Sequence, residues 1–198
     1  MLEQVHVSEV KKVLAKNPRG QALSYLTAFE FKVEMAQFHL DSLPQVRGTI
    51  PARSHTEAAI FQMKAALDCA AEAVNQVYRL RIDPGYALSI EQLCGEKGKA
   101  LASRNPPVRS WMGRLFGEQW WLDFKELRDK ITHQGLAIHH ITMNLGGSEP
   151  SSLAHLEVNG RISERELRDD LEEYLLHVGS CGEEMCRLLL RDPAWQQS

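Results

Sequence analysis

Arg128, Asp129 and His133 are the residues of this chain whose types and spacing could carry out chemistry. An arginine guanidinium stays charged and can bind two phosphate oxygens at once. A histidine titrates near neutrality, so it can remove and return a proton, and a nearby carboxylate can orient it. These groups suffice for metal-free cleavage of RNA, because the 2′-hydroxyl of RNA is a built-in nucleophile. We expect such a reaction to leave a 2′,3′-cyclic phosphate and a free 5′-hydroxyl.

The three residues lie near the end of a predicted amphipathic helix, which begins near Val108, has a break near Gly117 and ends at His133. Its predicted buried stripe consists of apolar residues at helical spacing: Trp120, Phe124, Leu127 and Ile131. The opposite face carries a stack at successive i, i+4 positions: Lys125, Asp129 and His133. We therefore expect Asp129 to accept a hydrogen bond from His133, with Arg128 on the flank beside the imidazole.

Further helices and a hairpin must position this helix. Helical spacing predicts three long helices and a weaker one: Gln21 to Leu43, Ser54 to Leu80, Ser163 to Leu190, and a segment that starts at Ser89. The last three begin with the spacing of a capping box, Ser-x-x-Glu or Ser-x-x-Gln. The segment 137–145 is rich in β-branched residues, a Gly-containing loop follows it, and 153–158 gives a second short strand, which together predict a β-hairpin. The sequence thus predicts one domain, 1–198: a mostly α, up-and-down bundle of about four to five helices, with a hairpin inserted at about 137–158.

Composition narrows the class of protein. The chain has 198 residues, of which 43% are hydrophobic and 25% charged, as in a globular domain with a sizeable core. Its formal net charge of -3 argues against coating nucleic acid by bulk attraction, but allows a local basic site. We expect no membrane partner and no secretion, because neither a long apolar run nor a basic-then-apolar start is present. The four cysteines fall mostly in helical patterns without metal-site pairing, which predicts free thiols and a cytoplasmic protein.

Two other groups of residues could form a site. His139 and His140 with His155 are candidate metal ligands, but adjacent residues of a strand point to opposite faces, so we expect no metal. Aromatic residues near the motif could stack on bases, although their helical spacing favours core packing: Trp111, Phe116, Trp120 and Trp121. No Gly-rich phosphate loop precedes a helix, which argues against a nucleotide cofactor of the P-loop or Rossmann type. We expect no cofactor.

In the segment Arg128-Asp129-(x3)-His133 the sequence resembles the HEPN superfamily of small helical-bundle proteins. The hallmark of that family is an arginine, then a polar residue, then a histidine, here followed by Gln134-Gly135. An alanine-rich helix before the motif and a long helix after it also match, so the resemblance spans most of the chain from about Gln21 onward. It implies a metal-independent endoribonuclease that forms a homodimer, with its active site where two protomers meet. Such proteins are often toxins, with an antitoxin partner, or defence effectors.

Two functions are open on this basis. In the first, the protein is a ribonuclease in which His133 is the general acid and base, Arg128 stabilises the phosphate and Asp129 orients them. Lys125 and Lys130 would then bind RNA phosphates beside the motif. In the second, the protein is a non-catalytic HEPN-like module that binds a partner protein or a nucleotide through the same groove.

Overall fold

The computed structural model describes residues 5–16, 21–43, 49–82, 88–94, 103–133, 138–143, 151–158, 160–192 and 195. Within these ranges the chain is a mostly α bundle with an inserted antiparallel hairpin, which confirms the predicted fold class. The described helices are α1 (Val5–Lys16), α2 (Ala22–Ser42), α3 (Thr49–Tyr78), α4 (Ile90–Cys94), α5 (Pro106–Leu115), α6 (Gln119–His133) and α7 (Leu167–Leu190). No helix among the described residues is long and apolar enough to cross a membrane.

The last helix, α7, is the central element of the bundle. α1, α2, α3, α5 and α6 all pack against it. Phe29 of α2 lies directly over Gly182 of α7: a Cβ added at Gly182 would be 2.2 Å from Phe29 Cζ. α2 and α3 form an antiparallel pair, because His39 meets His55 beside their connection whereas Tyr25 lies near Glu72 at the other end. The core is therefore built by three helices around α7, with α6 added at one side.

The inserted hairpin follows α6 and confirms the prediction at 137–158. β1 (Ile138–Met143) pairs antiparallel with β2 (Ser151–Val158), and β2 also pairs with the short β3 (Arg161–Ile162). Leu156 is fully buried and fixes β2 against the helices, since α6 and α7 both contact this strand. The hairpin thus packs on the same two helices that carry and support the motif.

Of the three predicted capping boxes, the one at Ser89 is formed and those at Ser54 and Ser163 are not. At Ser89 the box is present: the Gln92 N–H donates to Ser89 Oγ at 3.1 Å, and the Ser89 N–H donates to Gln92 Oε1 at 3.3 Å. The box predicted at Ser163 is wrong, because the Arg165 N–H takes that hydroxyl and α7 begins only at Leu167. Two residues of separation favour a local turn there over a helix cap.

Two helix starts differ from the sequence prediction. The box predicted at Ser54 is wrong because α3 begins at Thr49, and Pro51 fits its first turn, where a missing N–H costs nothing. α1 is not predicted at all. The reason is a long-range cap: the His6 N–H donates to the carboxylate of Glu183 on α7 at 2.8 Å, so a partner distant in sequence stabilises the helix start.

Candidate functional site

The buried face of α6 differs from the predicted stripe only in its first residue. Trp121 is 2% exposed and continues the buried row with three apolar residues as predicted: Phe124, Leu127 and Ile131. The prediction that Trp120 belongs to this row is wrong. Trp120 lies at the rim of the core, where its indole N–H donates to Glu118 at 2.6 Å and its ring stacks on His177 with centroids 4.7 Å apart. At the rim the indole N–H has the polar partner that a tryptophan usually finds.

One exposed side of α6 carries the histidine of the motif. A shallow depression of about 420 Å³, here termed the His133 depression, has a described lining that comes entirely from α6: Leu122, Lys125, Glu126, Asp129, Lys130 and His133. His133 is exposed and makes no hydrogen bond or ion pair with any described residue. The hydrogen bond predicted between Asp129 and His133 is not formed. The imidazole is thus held by its helix and by no second side chain among the described residues.

The other exposed side of α6 carries the arginine. A second depression of about 540 Å³, here termed the Arg128 cleft, lies between α3, α4 and α6. Its lining combines charged, polar and aromatic side chains: Phe61, Lys64, Asp68, Ser89, Glu91, Lys125, Arg128 and Thr132. Lys125 lines both depressions and separates them. The two principal residues of the motif therefore open onto different sides of one helix.

Arg128 lies among carboxylates and not beside the imidazole, which corrects the prediction from the helical wheel. Its Nη1 is 3.2 Å from Asp129 Oδ1, and its Nη2 is 3.7 Å from Glu91 Oε1. Its Nε is buried and has no hydrogen-bond partner. Glu91 belongs to α4, whose position a helical wheel of α6 cannot include. The guanidinium is held by charge more than by directed hydrogen bonds.

Lys64 of α3 compensates both carboxylates in the Arg128 cleft. Its Nζ lies 2.6 Å from Asp68 Oδ1 and 3.2 Å from Glu91 Oε2. Burial raises the pKa of Asp68, and the Lys64 ammonium offsets this only in part. Burial would also raise the pKa of Glu91, but the Lys64 charge and hydrogen bonds outweigh it, so that this pKa is lowered. Asp68 also accepts the Ile90 N–H at 3.1 Å, which fixes α4 on α3.

The structure thus brings together some of the predicted site residues and separates others. Asp129, Lys130 and Lys125 share one depression with His133, whereas Arg128 faces the cleft. Three residues that line the cleft with Arg128 were not among the predicted site residues: Phe61, Lys64 and Glu91. Lys64 and Asp68 have the i, i+4 spacing of a helical ion pair, but no sequence signal connects them to α6.

Of the hairpin histidines, the side chains of His139 and His140 lie outside the described part of the structure, and that of His155 lies within it. His139 lies opposite His155 in the strand register. His155 is buried, and its Nδ1 lies 3.0 Å from the carbonyl oxygen of Ser163, so it serves the packing of β2. Among the described residues, no group of three or more histidines, cysteines and carboxylates could hold a metal ion.

The assignment of this chain to a family depends on the residues of its own motif. The observed order of helices agrees with the helical bundle that the HEPN resemblance implies, but a helical bundle is common to many families. Comparison with known proteins finds no matching family model, no matching curated protein and no matching solved structure. The HEPN assignment therefore stays a prediction based on Arg128, Asp129 and His133.

Proposed function

We propose that this protein is a metal-independent endoribonuclease, active as a homodimer in the cytoplasm. The observation that carries the proposal is His133: an exposed imidazole without a described partner, on the last turn of α6, next to Asp129 and two lysines. A histidine used only for structure is usually hydrogen-bonded, as His155 is. The HEPN resemblance adds the expectation of a toxin, with an antitoxin partner, or of a defence effector.

The proposed reaction needs only groups that the chain supplies. His133 accepts the proton of the 2′-hydroxyl while the 2′-oxygen attacks phosphorus and the bond from phosphorus to the 5′-oxygen breaks. The same imidazole, protonated by that step, returns the proton to the leaving 5′-oxygen. Arg128 stabilises the negative charge of the phosphorane, and Asp129, 3.2 Å from it, orients the guanidinium. Lys125 and Lys130 bind neighbouring phosphates.

A second copy is part of the proposal because one chain leaves the site incomplete. Arg128 and His133 open onto different sides of α6, so a single chain does not present both to one phosphate. A two-fold pairing through α6 would bring the histidine side of one copy to the arginine side of the other. Leu122 supports such an interface, since it is 46% exposed and borders the His133 depression.

A non-catalytic module that binds a protein or a nucleotide is the second candidate. The observation that favours it is the environment of Arg128. A guanidinium close to both Asp129 and Glu91 is partly neutralised, and a phosphorane would have to compete with these carboxylates. Such an arrangement suits a static surface contact at least as well as transition-state stabilisation.

Cleavage of a mixed RNA pool in EDTA tests the proposal. We expect the wild type to leave cyclic-phosphate ends, and His133→Ala and Arg128→Ala each to lose activity by about 100-fold or more while staying folded. Arg53→Ala is the matched control, because Arg53 is an exposed arginine on α3 whose ion pair within the described residues is with Glu57 of the same helix, at 2.8 Å. No cleavage, or equal cleavage by all variants, would remove the enzyme and leave the binding module.

A further inference from the structure

Phe61 is an exposed aromatic ring on the wall of a charged cleft. It is 46% exposed, whereas its neighbours Ile60 and Met63 on α3 are fully buried. The same cleft is lined by Lys125 and Arg128 of α6. A ring face beside cationic side chains is the combination that binds single-stranded nucleic acid, because the ring stacks on a base while the cations hold the phosphate.

The charges of the cleft leave Lys125 available and Arg128 partly neutralised. The two carboxylates of the lining, Asp68 and Glu91, are both in contact with Lys64, which is largely buried behind them. Lys125 is exposed and pairs with no described residue. Arg128 is bound by ion pairs at 3.2 Å and 3.7 Å, and its buried Nε has no hydrogen-bond partner. A buried donor of this kind calls for a ligand or a solvent partner.

We infer that the Arg128 cleft binds one unpaired nucleotide of the RNA substrate, with Phe61 stacked on the base and Lys125 and Arg128 on its phosphate. This inference rests on the proposed function and deepens it, since it assigns the form in which the RNA enters the site. The cleft, at about 540 Å³, lies within the range of roughly 300–1,000 Å³ that is usual for small-ligand sites.

Recognition in this cleft is tolerant of sequence. The Thr132 hydroxyl donates to the carbonyl oxygen of Arg128 at 2.9 Å, and the Ser89 hydroxyl accepts the N–H of Gln92, so both hydroxyls of the wall serve their own helices. Stacking and charge then dominate, and every base has a face that can stack. A base paired within a duplex is already stacked on both sides, so the cleft selects single strands over duplexes.

Binding of a non-cleavable oligonucleotide tests the inference. The probe is a fluorescently labelled, mixed-sequence, single-stranded 2′-O-methyl RNA, whose blocked 2′-oxygen prevents the reaction. Phe61→Leu keeps the apolar bulk but removes the ring face, and we expect it to weaken binding by about 5- to 100-fold. Phe61→Trp should bind as tightly as the wild type. Phe38→Leu is the matched control, because Phe38 on α2 is also exposed, at 57%, but does not line the cleft.

An abasic oligonucleotide of the same length separates stacking from charge. The wild type should bind it about as weakly as Phe61→Leu binds the intact probe, and an annealed duplex should also bind weakly. The inference is overturned if Phe61→Leu binds like the wild type, if Phe38→Leu loses as much affinity, or if abasic, duplex and single-stranded probes bind equally. Failure of the proposed function looks different: the binding pattern is then present, but unmodified RNA is not cut.

Discussion

The two exposed sides of α6 differ in how far their polar groups are already satisfied. On the cleft side, Arg128 lies within 4 Å of two carboxylates, and Lys64 of α3 links the same cluster to α4. On the other side, His133 has no described partner, and the described lining of its depression comes from α6. Lys130 in that depression pairs with Glu126 at 2.9 Å. One side is therefore supported by three helices, whereas the other presents His133 and Lys125 without a described partner.

This difference indicates how each side of α6 would take part in binding. A guanidinium held by neighbouring charges loses little conformational freedom on binding, so the cleft side is suited to positioning a ligand. An imidazole held only by its own helix needs a partner from outside, either substrate or a second copy, to fix its ring orientation. The comparison predicts that the two sides act together only when two copies meet.

The largest expected effect is the recovery of RNA cleavage when two inactive variants are mixed as subunits. Arg128→Ala and His133→Ala proteins are each expected to be inactive in RNA cleavage. If Arg128 of one copy works with His133 of the other, each mixed dimer contains one intact pair, so that an equimolar mixture regains about one quarter of wild-type activity. The measurement is cleavage rate after the two variants have been unfolded and refolded together. No regain in verified mixed dimers would place both groups of each site in one chain.

How far the sequence predicts this molecule depends on the range of the interactions. The long helices and the hairpin are predicted because their hydrophobic periods are local, and the core row Phe124, Leu127 and Ile131 of α6 follows from its own spacing. α1 and the position of Arg128 are not predicted, because each depends on a carboxylate from a distant element, Glu183 and Glu91 respectively. Local periodicity cannot place such partners.

Gly182→Ala should destabilise the fold without changing a functional group on either exposed side of α6. The new Cβ would lie 2.2 Å from the end of the Phe29 ring, which is fully buried, so the ring or the two helices must shift. We expect a loss of about 1–3 kcal/mol in the free energy of unfolding. Urea unfolding followed by circular dichroism measures it.

Gly113→Ala is the matched control for this substitution. Gly113 lies in α5, and a Cβ there meets nothing within 4 Å. Because alanine is the better helix former, the substitution should raise the free energy of unfolding by about 0.5–1 kcal/mol. Equal effects of the two alanines would contradict the close contact between α2 and α7.

Glu91→Gln tests the cleft side of α6, because it removes one of the charges that hold Arg128. We expect the 2′-O-methyl probe to bind a few-fold more tightly, because one carboxylate no longer competes with phosphate. Stability should change in the opposite direction at neutral pH. The folded pKa of Glu91 is lowered, so its charged form stabilises the protein above the ordinary value of 4.5, and this contribution is lost as the pH falls through the folded pKa.

Glu91→Asn offers a further control for this variant, because it removes the same charge but also shortens the side chain. If both amides tighten binding, the charge of Glu91 is the cause. If Glu91→Gln instead weakens binding, the carboxylate is needed to position Arg128, and the cleft would then act through orientation and not through net charge.

The smallest expected effect contrasts His133 with a histidine that has a partner. His39 Nδ1 lies 3.2 Å from His55 Nδ1, and burial, together with the charge of His55, lowers the pKa of His39 below 6.5. Between that folded pKa and 6.5 the unfolded chain binds more protons than the folded one, so stability falls as the pH drops through this window. His39→Gln should flatten that part of the profile of unfolding free energy against pH. Since His133 is exposed and has no partner among the described residues, His133→Gln should leave the free energy of unfolding at neutral pH unchanged, and a loss there would mean that His133 has a structural partner after all.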